Sequence, residues 1–281
     1  MIIAVAITAC VCLGGGYFLF SGENATGQTT ITLDGSSTLA PTMEKLAEAY
    51  EENTGMRIEV TTTDSAMGAA AVRDKLVDIG MSSNSFGHAA HDGLVETQIG
   101  TDIVVLIVHP SVTAMGITSL TKSQVAGIYG GTITDWSQIN DPNSTTTDNP
   151  IAYFDREAGS GTRSFFEKTF GVTSEREEMS VKGGTGLMRQ AVEETSKSIG
   201  YISFGSVSKT ATAYDILDLD LDGNGPESPG NNDNYKATRP LIVLTVGQPA
   251  GEVYKFINWI LSPEGQAIVA SMGMEPLYEL P

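Results

Sequence analysis

The chain has 281 residues, of which 41% are hydrophobic and 18% are charged, an ordinary composition for a globular protein of one large domain or two lobes. It carries 34 acidic and 16 basic residues, which gives a formal net charge of −18. Such an acidic body argues against nucleic acid or an anionic membrane surface as a partner, and any anion must be held by local donors instead of the overall field.

The first twenty residues differ from the rest of the chain. No charged residue occurs from Ile2 to Phe20, and this stretch is about as long as the roughly 20 residues that span a bilayer. We expect 1–20 to be a secretion or lipoprotein signal or a membrane anchor, followed by a polar linker over 21–29. Cys10 and Cys12 are the only cysteines, so the body has no disulfide framework. The sequence therefore predicts a body at the extracellular side of the cytoplasmic membrane, anchored by the N-terminal segment.

Hydrophobic periodicity predicts alternating strands and helices along the body. The predicted strands occupy 31–33, 57–62, 102–108, 151–154, 199–203 and 241–246. The predicted helices occupy 43–50, 66–76, 119–129, 161–170, 185–194 and 253–260. This alternation is typical of α/β architecture with mostly parallel sheets, in which ligands bind beyond the carboxyl ends of strands.

Three hydroxyl-rich segments, at 35–41, 61–68 and 155–165, each follow a predicted strand and precede a predicted helix. The third is the strongest, because Arg156 lies just before a Gly-Ser-Gly-Thr turn at 159–162. The first N–H groups of a helix have no intrahelical partner, and the helix dipole favours negative charge there. A planar guanidinium adds a forked donor, so this segment predicts an anion site.

The other segments offer further polar groups to the same anion. The first supplies Ser36, Ser37 and Thr38, the second Asp64 and Ser65, and the end of the stretch 78–84 supplies Ser83 and Asn84. Each segment alone is also compatible with ordinary helix capping or a turn at a strand end, where Ser, Thr, Asn and Asp are favoured anyway. Three such segments in one chain favour the anion site.

The sequence gives little support to metal binding or hydrolysis. Three alternating acidic residues resemble the opening of a calcium loop: Asp218, Asp220 and Asp222. Position twelve of that loop is Pro229 instead of a bidentate Glu, so we expect a strand with an acidic outer face. The three histidines lie outside the hydroxyl-rich segments, and no Gly-x-Ser-x-Gly motif occurs. We expect no metal, no cofactor and no enzymatic activity.

Six motifs, taken in order, resemble the phosphate-binding proteins of Pst-type phosphate ABC transporters over about residues 29–281. They are Gly-Ser-Ser-Thr-Leu-Ala-Pro at 35–41, Asp-Ile-Gly-Met-Ser-Ser at 78–83, Arg-Glu-Ala-Gly-Ser-Gly-Thr-Arg at 156–163, Ile-Gly-Tyr-Ile-Ser at 199–203, Tyr-Lys-Ala-Thr-Arg-Pro-Leu at 235–241 and Leu-Ser-Pro-Glu-Gly-Gln at 261–266. The resemblance implies the α/β, type II periplasmic-binding-protein fold, with two lobes, a ligand cleft and two crossovers. Lobe one would comprise 30–108 and 241–281, and lobe two would comprise 109–240.

The resemblance also implies a set of phosphate ligands: Ser37, Thr38, Ser65, Arg156, Ser160, Gly161 and Thr162. Further candidates are Ser36, Asp64, Ser83 and Asn84. Some family members have an Asp that accepts the phosphate proton at the point matched here by Ser83, and many have Arg where this chain has Asn84. Because Ser83 is not a carboxylate, we take Asp64 as the substitute acceptor. A buried carboxylate accepts a hydrogen bond from hydrogen phosphate but repels fully ionised sulfate.

The function implied is that of a monomeric extracytoplasmic receptor that captures inorganic phosphate and delivers it to the permease subunits of an ABC importer. A receptor for another tetrahedral oxyanion, such as tungstate, molybdate or sulfate, is the alternative within the same class. A secreted phosphatase-like enzyme or serine hydrolase, and a sensor module of a signalling system, are alternatives from other classes.

Overall fold

The computed structural model describes residues 30–85, 93–172, 180–207, 213–223, 227–229 and 237–280. The predicted signal or anchor over 1–20, the linker over 21–29 and two of the three histidines, His88 and His91, lie outside these ranges. Within the described ranges, no helix combines the length and the apolar character that crossing a bilayer requires.

The described residues form ten strands: β1 (Thr30–Ser36), β2 (Arg57–Thr63), β3 (Ile79–Ser82), β4 (Leu94–Val108), β5 (Ser119–Thr121), β6 (Ala152–Arg156), β7 (Ser180–Lys182), β8 (Ser198–Ser203), β9 (Asp215–Asp220) and β10 (Thr238–Val246). The helices are α1 (Ala40–Thr54), α2 (Ser65–Arg73), α3 (Pro110–Thr113), α4 (Lys122–Gly130), α5 (Ser137–Asn140), α6 (Gly161–Phe170), α7 (Thr185–Glu194), α8 (Gly251–Ile260) and α9 (Pro263–Ser271). One prediction was wrong in part, because 119–121 is a strand that pairs with β9, and the helix begins only at Lys122.

The strands form one mixed sheet in the order β2-β1-β3-β10-β4-β8-β6-β7, and β9 joins it beside β4. The outer strands pair in parallel, as predicted. The two central strands do not, because β10 runs antiparallel to β3 and β4, and β4 runs antiparallel to β8 and β9. The prediction of mostly parallel sheets is therefore wrong at the centre, where hydrophobic runs show burial but not strand direction.

Helix α1 illustrates how the sequence places a helix start near the end of a strand. Pro41 lies in its first turn, where a missing N–H costs nothing, and Gly55 ends it in the left-handed conformation at φ 72°. Its buried face includes Met43, Leu46 and Tyr50, which recur at helical spacing and pack on the sheet. The hydroxyl-rich segment of β1 is thereby held at the start of α1.

Two large hydrophobic cores and one small cluster of Val72, Leu94, Ile242 and Leu244 occupy the described residues. The first surrounds Ile103–Val108 of β4 and includes Trp136, Phe166 and Tyr201. The second surrounds β1, α1 and α8 and includes Leu241 of β10. Strands β4 and β10 pair with each other and contribute side chains to the second core. Both strands also lead into the first core. They are therefore the chain segments that connect the two cores. The limits of the two lobes stay a prediction.

A fully buried ion pair lies on the two linking strands. Asp102 of β4 and Arg239 of β10 pair in register, and Nε and Nη2 of Arg239 donate to Oδ2 of Asp102 at 2.9 and 2.7 Å. Oδ1 of Asp102 accepts a hydrogen bond from the Ser203 hydroxyl, and the guanidinium lies 5.8 Å from the centroid of the Phe165 ring. Burial lowers the pKa of Arg239, and the charge of Asp102 opposes that shift.

Candidate functional site

A small cavity of ≈120 Å³ lies where the starts of α1, α2 and α6 meet. It is lined by Ser36, Ser37, Thr38, Asp64, Ser65, Ser83, Arg156, Ser160, Gly161 and Thr162. Seven of these ten residues carry a hydroxyl group. This volume includes all the space between the lining atoms and still lies far below the roughly 300–1,000 Å³ of sites for drug-sized ligands. The cavity therefore suits one small, strongly hydrogen-bonding ion.

The topology of the sheet brings these residues together. Strands β1, β2, β3 and β6 all end at the cavity, and β1 lies between β2 and β3 in the sheet. Two of the adjoining helices are capped by cavity residues: Asp64 accepts the N–H of Met67 at 2.8 Å, and Ser160 accepts the N–H of Arg163 at 3.3 Å. Two residues that the sequence predicts as anion ligands or acceptors therefore cap helices in the structure.

Arg156 is 1% exposed, and its guanidinium is held on three sides. Its Nε and Nη2 donate to the two carboxylate oxygens of Glu157 at 2.8 and 2.7 Å. Nη2 also donates to Ser37 Oγ at 3.0 Å, and Nη1 donates to Thr185 Oγ1 at 3.2 Å. Burial alone would raise the pKa of Glu157, but the hydrogen bonds and charge of Arg156 bring that pKa below its usual value. Glu157 is therefore ionised and neutralises the guanidinium.

A second layer of polar groups fixes the backbone of Arg156 from behind. The Tyr201 hydroxyl donates to Asp155, and Arg163 lies 3.3 Å from the same carboxylate and donates from Nη1 to the carbonyl of Arg156 at 3.2 Å. Burial raises the pKa of Asp155 and raises that of Tyr201 well above its usual range. The Tyr201 ring on β8 stacks on Phe166 of α6 with centroids 3.9 Å apart, so Tyr201 connects the end of β6 to α6.

The loops on either side of the cavity touch each other directly. The Ala66 N–H donates to the Gly159 carbonyl at 3.2 Å. A Cβ atom built on Gly159 would lie 2.4 Å from both carboxylate oxygens of Asp64, and one on Gly161 would lie 2.6 Å from Ser65 Oγ. Only glycine allows this approach, so the two glycines of the third segment permit the closed arrangement.

The structure places ten of the eleven sequence-predicted candidates on the cavity wall. Ser65 accepts the N–H of Ser83 at 3.2 Å, which holds these two residues side by side. Asn84 is the candidate that does not line the cavity, and its backbone N–H and carbonyl are both bonded to the Ser82 hydroxyl. Asn84 thus helps to end β3, a role that favours Asn at a turn.

Sequence reasoning missed two residues that contact the site. Glu157 neutralises Arg156, and its only sequence signal was its position next to that residue. Thr185 contacts Arg156 and Thr38 from the start of α7, and nothing local distinguishes it from an ordinary helix start. Elsewhere, Asp218 and Asp220 lie on β9 as expected, and no group of three metal-binding side chains occurs among the described residues.

Comparisons with known proteins agree with this architecture. A model of the PBP superfamily domain matches residues 21–264. The phosphate-binding protein PstS of Borreliella burgdorferi is 25% identical over 267 residues, which cover 91% of this chain and 92% of the relative.

Two solved structures show the same likeness at the level of the fold. A phosphate ABC transporter substrate-binding protein from Clostridium perfringens, solved with bound phosphate, is 29% identical, with a TM-score of 0.77 over 89% of this chain and 100% of that one. An ABC-type phosphate transport receptor from Vibrio cholerae is 26% identical, with a TM-score of 0.69 over 88% of this chain and 100% of that one. The chain belongs to the PBP superfamily and has the fold of the periplasmic binding proteins.

Proposed function

We propose that this protein is an extracytoplasmic receptor that captures inorganic phosphate for an ABC importer. The observation that carries the proposal is the small cavity with seven hydroxyl-bearing residues, one buried guanidinium and three adjoining helix starts. The relatives named as phosphate-binding proteins, and the C. perfringens structure with phosphate bound, support the same ligand.

The chemistry of the cavity suits a tetrahedral oxyanion. The oxygens of such an anion mainly accept hydrogen bonds. The cavity offers hydroxyl groups and the Arg156 guanidinium as donors, and it lies at three helix starts. We assign direct contacts to Ser37, Thr38, Ser65, Arg156, Ser160, Gly161 and Thr162, with Ser36 and Ser83 as further donors. Since Glu157 cancels the charge of Arg156, binding depends on these donors and not on a net positive field.

Asp64 is the proposed acceptor for the proton of hydrogen phosphate. It is the only acidic residue that lines the cavity among the described residues, and Ser83, at the point where the resemblance implies an Asp in some family members, offers only a hydroxyl. One carboxylate oxygen, Oδ1, already caps α2 through Met67. A fully ionised sulfate, molybdate or tungstate would meet this carboxylate without a proton to share, so the arrangement favours phosphate.

The transport role follows from the layout of the two cores. In this proposal the two cores belong to two lobes, β4 and β10 are the crossovers, and the lobes close over phosphate by a hinge motion. The permease subunits of the importer would recognise the closed, monomeric receptor at the extracellular side of the membrane. Catalysis has no part in the proposal. The phosphatase-like alternative needs a base beside a hydroxyl at the anion cavity, and His109 is not among the residues that line it. Its Nδ1 accepts the Ser111 N–H at 3.1 Å and lies 2.9 Å from the Ser111 hydroxyl at the start of α3.

Substitution of Arg156 tests the proposal. Arg156→Ala removes the buried guanidinium and leaves Glu157 without a counter-charge beside the anion, so we expect phosphate affinity to fall by roughly a hundred-fold or more. Arg156→Lys keeps the charge but not the fork and should bind with intermediate affinity. Arg57→Ala, at an exposed ion pair with Glu59, is the matched control and should bind normally.

Calorimetric titration with phosphate measures these affinities, and circular dichroism checks that each variant is folded. Wild-type affinity in a folded Arg156→Ala variant would show that the site is assigned wrongly.

A further inference from the structure

We propose that the start of α7 is a further part of the anion site, in which Thr185 links Arg156 to the cavity through a chain of hydroxyl groups. The chain runs from Arg156 to Thr185, then to Thr38 and finally to Thr162, and we call it the hydroxyl relay. The proposal rests on the proposed function, because it explains how the buried guanidinium acts on a bound phosphate.

Thr185 is buried but does not itself line the cavity. It is the first residue of α7 and is 5% exposed. Its hydroxyl lies 3.2 Å from Arg156 Nη1 and 3.2 Å from Thr38 Oγ1, and Thr38 Oγ1 lies 3.1 Å from Thr162 Oγ1. Among the described residues, Arg156 and Thr38 are the two groups with which the Thr185 hydroxyl pairs. Three hydrogen bonds therefore connect the guanidinium to the cavity wall.

The direction of the relay follows from the chemistry of its first member. A guanidinium can only donate, so the Thr185 oxygen must accept from Arg156. Between the hydroxyl groups either oxygen can donate, and we assign the hydrogen of Thr185 to Thr38 and that of Thr38 to Thr162. The hydrogen of Thr162 remains available to an anion in the cavity. Hydrogen bonds in such a chain polarise one another, so the last hydroxyl becomes a stronger donor than an isolated one.

Ser37 provides a second, shorter path by which a hydroxyl group connects Arg156 to the cavity. Its oxygen accepts from Arg156 Nη2 at 3.0 Å, and its hydroxyl hydrogen is thereby turned away from the guanidinium. Because Glu157 occupies Nε and one hydrogen of Nη2, the guanidinium has few donors left for direct contact. Much of its effect on the anion therefore passes through hydroxyl groups.

Glu157 also holds the start of α7 in place. The N–H of Gly184, the residue before the helix, donates to Glu157 Oε2 at 3.0 Å, and the N–H of Thr185 approaches Ser37 Oγ at 3.4 Å. Gly184 has a φ of 105°, a left-handed conformation that glycine adopts without strain. One carboxylate thus aligns both the guanidinium and the hydroxyl that receives its hydrogen bond.

The relay joins parts of the chain that are far apart in sequence. Thr38 precedes α1, whereas Arg156, Thr162 and Thr185 lie on the opposite side of the cavity, in the predicted lobe two. Two of its three hydrogen bonds therefore cross the cleft and form only when the two sides meet. A contact made only in the closed form retains the ligand, so we expect it to act on the dissociation rate.

The test compares Thr185→Val with Thr185→Ser in the full chain. Valine keeps the shape of threonine but has no hydroxyl, and serine keeps the hydroxyl without the methyl group. We expect Thr185→Val to bind phosphate roughly ten-fold more weakly, mainly through faster dissociation, because one hydroxyl of the relay is lost. Thr185→Ser should stay within about two-fold of the wild type. Phosphate titration and stopped-flow dissociation supply the readouts, and the unfolding midpoint without phosphate reports on the fold.

Each contrary outcome has a distinct meaning. If wild type and Thr185→Val bind phosphate equally well, the relay is overturned and the proposed function stands. Equal weakening of the Val and Ser variants would show that packing of the side chain matters and not its hydroxyl, which also overturns the relay. A wild type that ignores phosphate would overturn the proposed function first, and the relay with it.

Discussion

In the proposed anion site, Arg156 is a buried cation within a protein whose net charge is −18. Its charge is cancelled within hydrogen-bonding distance by Glu157, so the site gains little from long-range attraction. The cavity instead offers hydrogen-bond donors at fixed positions. Because these donors are buried, each hydrogen bond they form is stronger than it would be in bulk water. Affinity in this account comes from the geometry of donors, and the acidic body does not prevent it.

At the same scale, Asp64→Asn tests the proposed proton acceptor. Asparagine is as good a helix cap as aspartate, so α2 and the fold should be preserved while the negative charge is removed. We expect the preference for phosphate over sulfate to fall by at least about ten-fold, because sulfate no longer meets a carboxylate. The ratio of the two dissociation constants is the measurement.

The matched control for that variant is Asp74→Asn at the other end of α2, where the carboxylate is exposed beside Arg73. It should leave the ratio unchanged. An Asp64→Asn protein that discriminates as well as the wild type would remove Asp64 from the role of acceptor.

Single residues of the site were predictable where their signal is local. The hydroxyl-rich segments and Arg156 stand next to strand ends and helix starts in the sequence itself, so their meeting at one sheet edge could be foreseen. Thr185 could not be found this way, since its partners Arg156 and Thr38 are 29 and 147 positions away. Its contact with them depends on how α7 packs, which periodicity does not encode.

At the scale of elements, the start of α6 depends on a glycine that lets two loops touch. In Gly159→Ala the added Cβ would lie 2.4 Å from the Asp64 carboxylate oxygens. Asp64 could move aside only by releasing the N–H of Met67, so we expect the loops to separate and phosphate affinity to fall by roughly ten-fold or more. Phosphate titration measures the loss.

Gly186→Ala in the first turn of α7 is the control, because no atom beyond its chain neighbours and the backbone of its own helix lies within 4 Å of its Cβ position. Its affinity should match that of the wild type. Unchanged binding in Gly159→Ala would mean that the approach of Asp64 to Gly159 is not needed for the liganded state.

The type of most elements followed from hydrophobic spacing, whereas their direction and some boundaries did not. Helix α7 was predicted over its full length, because Met188 and Val192 recur at helical spacing above a polar face. The strand at 119–121 was read as helix since three residues are too few to show alternation, and its pairing with β9 decides its conformation. The antiparallel course of β4 and β10 reflects pairing across about 140 residues of sequence, which no local pattern reveals.

At the scale of the whole molecule, the ion pair of Asp102 and Arg239 joins β4 to β10, the two strands that connect the cores. Asp102→Asn would leave the guanidinium buried without a counter-charge, so we expect the free energy of unfolding to fall by about 3–5 kcal/mol. Denaturant unfolding measures the change. Glu48→Gln, at an exposed pair with Lys45, is the control and should change it by less than about 0.5 kcal/mol. A change below about 1 kcal/mol for Asp102→Asn would contradict this view of the linking strands.

The order of motifs along the chain was enough to identify the family, because six separate segments had to agree at once. The limits of the two lobes, which the resemblance implies after Val108 and before Leu241, stay a prediction. The apolar run of β4 spans both cores, and hydrophobicity alone does not show that Ile99 belongs to one and Val104 to the other. Such assignments depend on tertiary packing.

The central claim is that the cavity binds phosphate, and calorimetric titration of the protein tests it most directly. Phosphate, sulfate, molybdate and tungstate would be titrated separately at neutral pH. The account predicts tight binding of one phosphate per chain and no response to sulfate, because Asp64 admits only an anion that carries a proton. A preference for sulfate, molybdate or tungstate, or silence toward all four, would contradict it.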